Sequence, residues 1–509
     1  MNPVAFVPTL TRRARVLAVS ALPWSPFGSS PAAAGEALEA RVAEGRWDLA
    51  LEALEGLLEG PDAKALGRDR ELRLRKLRAR CLFELGDYPA CEREIRAVLE
   101  SAAAEVPEER FECLAQLAKA LALQDLGDAA LAAIEEARRI RDAPALRRLA
   151  IVVCLRSRRF SEILPHAEAL LAEDPRDPYA HFARGIALSE TGRLEESLGE
   201  LSRGLEVPGA ERDARFQMAL VLGRLGRPER ALEHLVEIVE RDPYEGEACY
   251  QASQQLARLR TPEGREAAKR LREYFLALEK AQGETAREHP FEAAGRAAFA
   301  ALLRAARWRR LRVYDRMLAE IRRAQAAARG DPEPHLSEAE FWASAGLLAE
   351  AESVAARLEA SRPGRLPEDA AARLRKLREA VAAGRERLRA QAASPLGAAR
   401  LALAEAPWED ARPHLETLLA RAAAAKDFPC ADEAARLLLA RDPLSVRALA
   451  FLAERTSSPE LLPPRLHYLA RLARALPEDA RFRERWERAR AEFLGRAAVP
   501  GASPGDTKP

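Results

Sequence analysis

The sequence predicts an all-α chain of stacked helical hairpins, and three observations carry that expectation. Apolar helical tails end in the same dipeptide three times, at Asp174-Pro175, Asp242-Pro243 and Asp442-Pro443. Gly192 and Gly226 mark turns 34 residues apart, with the same small and large residues at the same offsets around each. Of the 509 residues 48% are apolar, 31% charged and only 6% aromatic, a mix that suits many amphipathic helices joined through small-residue seams.

Each element follows from local chemistry. Proline forces the residue before it out of the helical region and has no amide to donate, so every Asp-Pro is a helix terminus. Around the two glycine turns, Gly185 and Ala219 stand seven residues before, Ser197 and Ala231 five after, and Leu201 and Leu235 nine after. Small residues are needed where antiparallel helices cross closely, and branched ones fill the volume beside them. The repeating unit is therefore a helical hairpin.

Further copies lie on the same ruler. Gly45 precedes Trp47, Ala50, Leu54 and Leu57, while Gly86 follows Ala79 and precedes Tyr88, Cys91, Ile95 and Val98. Gly346 has Ala339 before it and Leu348, Ala351, Ala355, Leu358 and Pro363 after it. Two late copies lack the glycine: Trp408, Ala411, Leu415, Leu418, and Phe428, Ala431, Ala435, Leu438, Pro443. Gly127, with Ala120 before it and Ala132 and Pro144 after it, is a weaker match.

This pattern resembles the tetratricopeptide repeat, a 34-residue helix-turn-helix, over most of residues 36–494. The resemblance implies a right-handed α-solenoid of roughly ten to thirteen hairpins, each too small to stand alone, stacked so that a concave face is left open. Residues 36–260 form its continuous N-terminal array. Residues 261–330 read as divergent helical repeats, with helices over 263–282, 291–306 and 308–329. Residues 331–393 hold one hairpin and a long spacer helix from Pro367, and residues 394–495 a C-terminal array.

The two ends read differently. Residues 1–35 contain no acid, carry Arg12, Arg13 and Arg15 before the apolar run from Val16 to Leu22, and close on Ala32-Ala33-Ala34. They read as an unstructured leader or a targeting segment, so that a cytoplasmic location is expected and export remains open. Residues 496–509, nearly free of apolar side chains, read as a disordered tail.

Composition narrows the chemistry. With 81 basic and 79 acidic residues the formal net charge is +2, which does not suit a generally basic nucleic-acid coat. The basic residues are 73 Arg and 8 Lys, and Asn2 is the only asparagine, a skew that matches a GC-rich genome. Six scattered cysteines without a C-x-x-C pair read as small core residues. No stretch has the apolar length of a spanning helix. No phosphate loop, dinucleotide fingerprint, H-E-x-x-H or G-x-S-x-G elbow is present, so no enzyme, cofactor or metal site is expected. His166, His234 and His414 occupy equivalent points of different hairpins, too far apart to share a metal.

The candidate binding residues come from periodicity. Phe182, Phe216 and Tyr250 recur ten residues before successive turns, with Arg148 in the slot before them and Tyr179 beside Phe182. In the tetratricopeptide family the first helix of each hairpin lines the groove, so the resemblance implies a ring ladder for a partner peptide; packing between hairpins is the alternative. Arg156, Arg224 and Arg258 lie two residues before their turns, and arginine forks suit an acidic or C-terminal segment. On the ladder reading, Phe182→Ala with Phe216→Ala weakens partner capture and leaves the melting temperature nearly intact.

Three basic clusters, 68–80, 304–316 and 373–389, alternate with leucines at helical spacing and read as solvated helix faces. The expectation is a non-catalytic scaffold or adaptor that binds a partner protein or peptide. A helical-repeat nucleic-acid binder and an accessory subunit of an envelope enzyme or secretion system are the alternatives.

Overall fold

The computed structural model describes residues 47–59, 67–101, 106–207, 210–286, 296–327, 332–360, 366–456 and 461–496. The proposed leader, Gly45 itself and nearly all of the proposed tail lie outside them, whereas Trp47, Ala50, Leu54 and Leu57 of the Gly45 copy lie in a described helix, with Ala50 and Leu54 fully buried. Among the described residues there are 24 α-helices and no strand. The chain divides into two compact units, residues 1–234 and 235–509.

The first unit contains α1 (Trp47–Glu59), α2 (Arg68–Leu85), α3 (Tyr88–Glu100), α4 (Pro107–Leu123), α5 (Gly127–Ile140), α6 (Pro144–Arg156), α7 (Phe160–Glu173), α8 (Pro178–Glu190), α9 (Leu194–Arg203), α10 (Glu211–Arg224) and the start of α11 (Pro228–Arg241). The small-residue seam lies where the spacing put it. A Cβ on Gly185 would stand 2.7 Å from Leu201 Cγ, and Ser197 Oγ donates to the Gly185 carbonyl at 2.7 Å. Ala79, Cys91, Ala219 and Ala231 are fully buried at equivalent positions. The Asp-Pro ends are Asx turns: helices stop at Glu173, Arg241 and Arg441, and Oδ1 of the following aspartate accepts the amide two residues on, at Arg176, Tyr244 and Leu444.

One register differs from the expectation. The turn near Gly127 is at Asp125, whose φ is 61°, and Gly127 begins α5. The crossing positions are then Ala118 and Ala130, both fully buried, while Ala132 is exposed. The cause is general. Gly86, Gly192, Gly226 and Gly346 take the left-handed conformation that closes a hairpin, but Asp125, Arg158, Arg260, Arg312 and Lys426 take it too. The closing bonds are the same for both residue types, as in Gly192 N to Ser189 O at 3.1 Å and Arg312 N to Arg309 O at 3.0 Å.

The second unit continues α11 from Leu235 and contains α12 (Gly246–Leu259), α13 (Pro262–Ala286), α14 (Arg296–Arg310), α15 (Tyr314–Ala327), α16 (Glu333–Ser344), α17 (Leu348–Ala360), α18 (Glu368–Gln391), α19 (Pro395–Glu405), α20 (Ala411–Ala424), α21 (Phe428–Arg441), α22 (Val446–Arg455), α23 (Leu462–Ala475) and α24 (Ala480–Phe493). The break expected after Ala306 does not occur, because α14 runs through Trp308 to Arg310 and the turn is at Arg312. With Arg312 as the turn, Ala305 and Met317 fall on the buried crossing positions.

This unit closes on itself. A Cβ on Gly495 would lie 3.0 Å from Gly264 Cα and 2.8 Å from Leu256 Cδ2, so the turn after α24 packs on α12 and α13 near the start of the unit. Arg270 bonds Glu492 at 2.7 Å in the same seam. Phe493 and Leu256 are fully buried there.

Candidate anion-binding pocket

The second unit holds a half-open cleft of about 390 Å³. Its walls come from four places: the end of α11 with Pro243 and Tyr244, the turn at Arg312 leading into α15, the outer face of α21, and α23. Six arginines line it (Arg241, Arg312, Arg316, Arg436, Arg471 and Arg474), against two acids, Glu240 and Asp315.

Two seams hold the walls together. Along α15 and α21, Arg312 bonds Asp432 at 2.8 Å and Glu433 at 2.6 Å, Tyr314 Oη donates to Glu433 at 2.5 Å, and Arg436 bonds Asp432 at 2.8 Å. Along α11, α23 and α24, Glu240 is the anchor. Its Oε1 accepts from Trp486 Nε1 at 2.9 Å and lies 3.3 Å from Arg490 Nε, with only 4% of the residue exposed. Burial pushes the Glu240 carboxyl above its ordinary range, against the pull of Arg490.

The arginines are not equivalent. Arg316 bonds Asp242 at 2.7 Å and lies 4.7 Å over the Trp308 ring, so its charge is matched. Arg471 touches only neutral acceptors: the Pro443 carbonyl and His467 Nε2 at 3.3 Å. Burial lowers its pKa, against the opposing pull of the Asp315 carboxylate on the same wall.

His467 fixes how that guanidinium points. Its Nδ1 donates to the Glu240 carbonyl at 2.8 Å, which leaves the Nε2 lone pair to accept from Arg471. Burial, followed by the neighbouring Arg471 charge, drives the imidazole down to about 4, so it is neutral at pH 7.

Tyr244 and Tyr468 complete the wall, and burial raises the Tyr244 phenol, which keeps its proton and remains a neutral donor. Beside them Tyr274 is buried, with a hydroxyl that has no hydrogen-bond partner. An unmet buried hydroxyl costs about 1–3 kcal/mol, and Tyr274 lies behind the pocket wall, outside its lining.

The residues expected from sequence lie elsewhere and are largely occupied. Phe182 and Phe216 are 5% and 4% exposed, and Phe182 packs with Ile186, Leu201, Ala214 and Met218. They are core residues of the first unit, not open platforms, because the slot ten before the turn faces the next hairpin. Tyr250 packs on Phe275 in a tilted pair at 5.0 Å, and Tyr179 is half-buried against the core formed with the preceding hairpin, α6 and α7.

The arginines of that set are tied to the chain's own groups. Arg148 bonds Asp177 at 2.8 Å, and Asp177 in turn caps α8 through the Tyr179 amide at 2.9 Å. Arg156 bonds Asp125 with Nε at 3.1 Å, Arg224 donates to the Ser189 carbonyl at 2.9 Å, and Arg258 reaches Gln255 at 3.3 Å.

Two of the basic clusters are likewise neutralised, by Lys76 with Glu109 at 2.8 Å and by Arg373 with Glu340 at 2.9 Å and Arg385 with Glu352 at 2.9 Å. The third, 304–316, contributes Arg312 and Arg316 to the pocket. That cluster was the only sequence signal for the site, since Arg436, His467 and Arg471 stand more than a hundred residues further on.

Among the described residues no group of three His, Cys, Asp or Glu is placed to hold a metal ion, and no helix is long and apolar enough to cross a membrane. The hairpin register defines the class: an all-α protein of stacked TPR-like helical hairpins.

No protein-family model matches the sequence, and no curated protein matches it. Solved structures do. The TPR protein YrrB, described as having an unusual peptide-binding site, is 17% identical over 39% of this chain and 96% of its own, with a TM-score of 0.31. The APC/C hetero-tetramer Cut9-Hcn1 is 13% identical over 90% of this chain and 89% of that one, with a TM-score of 0.31. The P58(IPK) TPR domain is 14% identical over 90% and 97%, with a TM-score of 0.25.

Proposed function

We propose that the protein is a non-catalytic scaffold that binds another protein, and that an anionic segment of that partner, acidic or carboxyl-terminal, enters the pocket of the second unit. The single supporting observation is the lining itself: six arginines gathered at one cleft, three of them held by Asp242, Asp432 and Glu433, with Arg471 hydrogen-bonded to neutral groups only. Guanidinium forks in a partly desolvated cavity favour carboxylate or phosphate oxygens in two-point geometry. Stacked hairpins supply the rest, because they present long surfaces on a rigid frame.

The test is capture of partners by the full chain beside its Arg471→Gln variant, with bound proteins identified by mass spectrometry. A partner kept by the wild type and lost by the variant, at unchanged helix content, supports the reading. The same partners on both overturn it.

A further inference from the structure

We propose that the pocket binds a phosphoryl dianion, carried either by a phosphoserine or phosphothreonine of a partner protein or by a small phosphorylated molecule. This rests on the reading that the pocket takes an anionic group and narrows it.

The argument is one of charge and direction. Arginines reach the cavity from three separate elements: Arg316 on α15, Arg436 on α21, and Arg471 with Arg474 on α23. A carboxylate offers one plane and one charge, which a single fork satisfies. A phosphoryl group offers three terminal oxygens and nearly two charges, and so uses donors converging from several sides.

The positions agree with that use. Asp432 and Glu433 already occupy Arg312 and Arg436, and Asp242 occupies Arg316, so an entering anion meets positive charge partly held in place and one fork, that of Arg471, whose hydrogen bonds go to neutral groups while Asp315 is the carboxylate it senses. His467 is the positioning residue for that fork, since its Nε2 holds one Arg471 nitrogen at 3.3 Å. The protonated Tyr244 supplies a neutral donor on the pocket wall.

The experiment is isothermal titration of the full chain with four probes: a peptide library centred on phosphoserine, the same library with serine, the same with glutamate, and inorganic phosphate. The phosphoserine library is expected to bind at least ten-fold more tightly than the glutamate library. Its affinity should fall as pH is lowered through about 6, where the monoester gains its second proton.

Arg471→Gln should lower that affinity ten-fold or more. Should that variant also melt earlier, Arg471→Lys, which keeps the charge and loses the fork, must show a loss of the same sign. Inorganic phosphate binding as tightly as the phosphopeptides supports the phosphoryl chemistry and assigns it to a small molecule. Equal affinity for glutamate and phosphoserine overturns the proposal and leaves the carboxylate reading standing. Binding of no probe overturns both.

Discussion

The two units use the same hairpin but hold it together over different distances. In the first, cross-links between hairpins span about one repeat: Arg147 to Glu173 are 26 residues apart, Arg156 to Asp125 31, and Arg224 to Ser189 35. In the second, the bonds that matter span 121 residues for Arg312 to Glu433, 222 for Arg270 to Glu492, and 246 for Trp486 to Glu240. A nearest-neighbour stack is a sum of local terms, and each contact can be lost alone. A ring is not, because its closing contacts hold every hairpin between them. The second unit also brings arginines from several hairpins to one cleft.

Four measurements sharpen or break that contrast. The largest effect is expected in the first unit. Phe182→Ala and Phe216→Ala each remove a core ring and should lower stability by about 3–5 kcal/mol. Thermal unfolding of each variant checks it; a melting temperature near that of the wild type would restore the open-ladder reading.

Next comes the closing seam. Glu240→Ala leaves Arg490 and Trp486 without their buried acceptor and should destabilise the second unit by about 3–5 kcal/mol. Glu173→Ala in the first unit, whose 48% exposed carboxylate shares Arg147 with Asp142, should lose less than about 1 kcal/mol. Similar losses in urea titrations of the two variants would remove the distinction between ring and stack.

The third measurement is pH dependence. His467 is held at about 4 in the fold, below its unfolded value, so its contribution is fully present above about 6.5 and is lost as pH falls toward 4. The gap corresponds to roughly 3 kcal/mol. Unfolding curves at pH 7 and pH 4.5 should therefore converge for His467→Gln more than for the wild type.

The smallest effect concerns turns. Arg158 takes φ 59° where hairpins elsewhere place glycine, so Arg158→Gly should raise stability by up to about 1 kcal/mol, read as a small rise in melting temperature.

Much of the first unit was legible because its rules are local. The Gly185 to Leu201 crossing, the Asp-Pro stops and the Ser197 to Gly185 bond follow from a 34-residue period and the sterics of small residues. The turns at Arg158 and Arg260 follow from the 34-residue spacing, but those at Asp125 and Arg312 were harder to see. A charged side chain accepts the left-handed conformation at a cost of about 1–2 kcal/mol, and a ruler based on glycine passes over it. That is why the register was misplaced at Gly127 and why residues 261–330 looked irregular.

Periodicity also found Phe182 and Phe216, yet it could not say which side of the slot faced solvent. A ring that fills a seam and a ring that lines a groove share the same spacing. Only burial separates them.

The sequence by itself determined the hairpin, its period and its terminators, because each depends on residues within one or two turns of helix. The tertiary structure alone decided that the second unit closes, that Glu240 anchors α24, and that Arg316, Arg436 and Arg471 face one cavity. No short-range preference encodes those pairings. They arise from small rotations accumulated from hairpin to hairpin until the last helices meet the first, and burial of Phe493 and Leu256 at that junction fixes the ring.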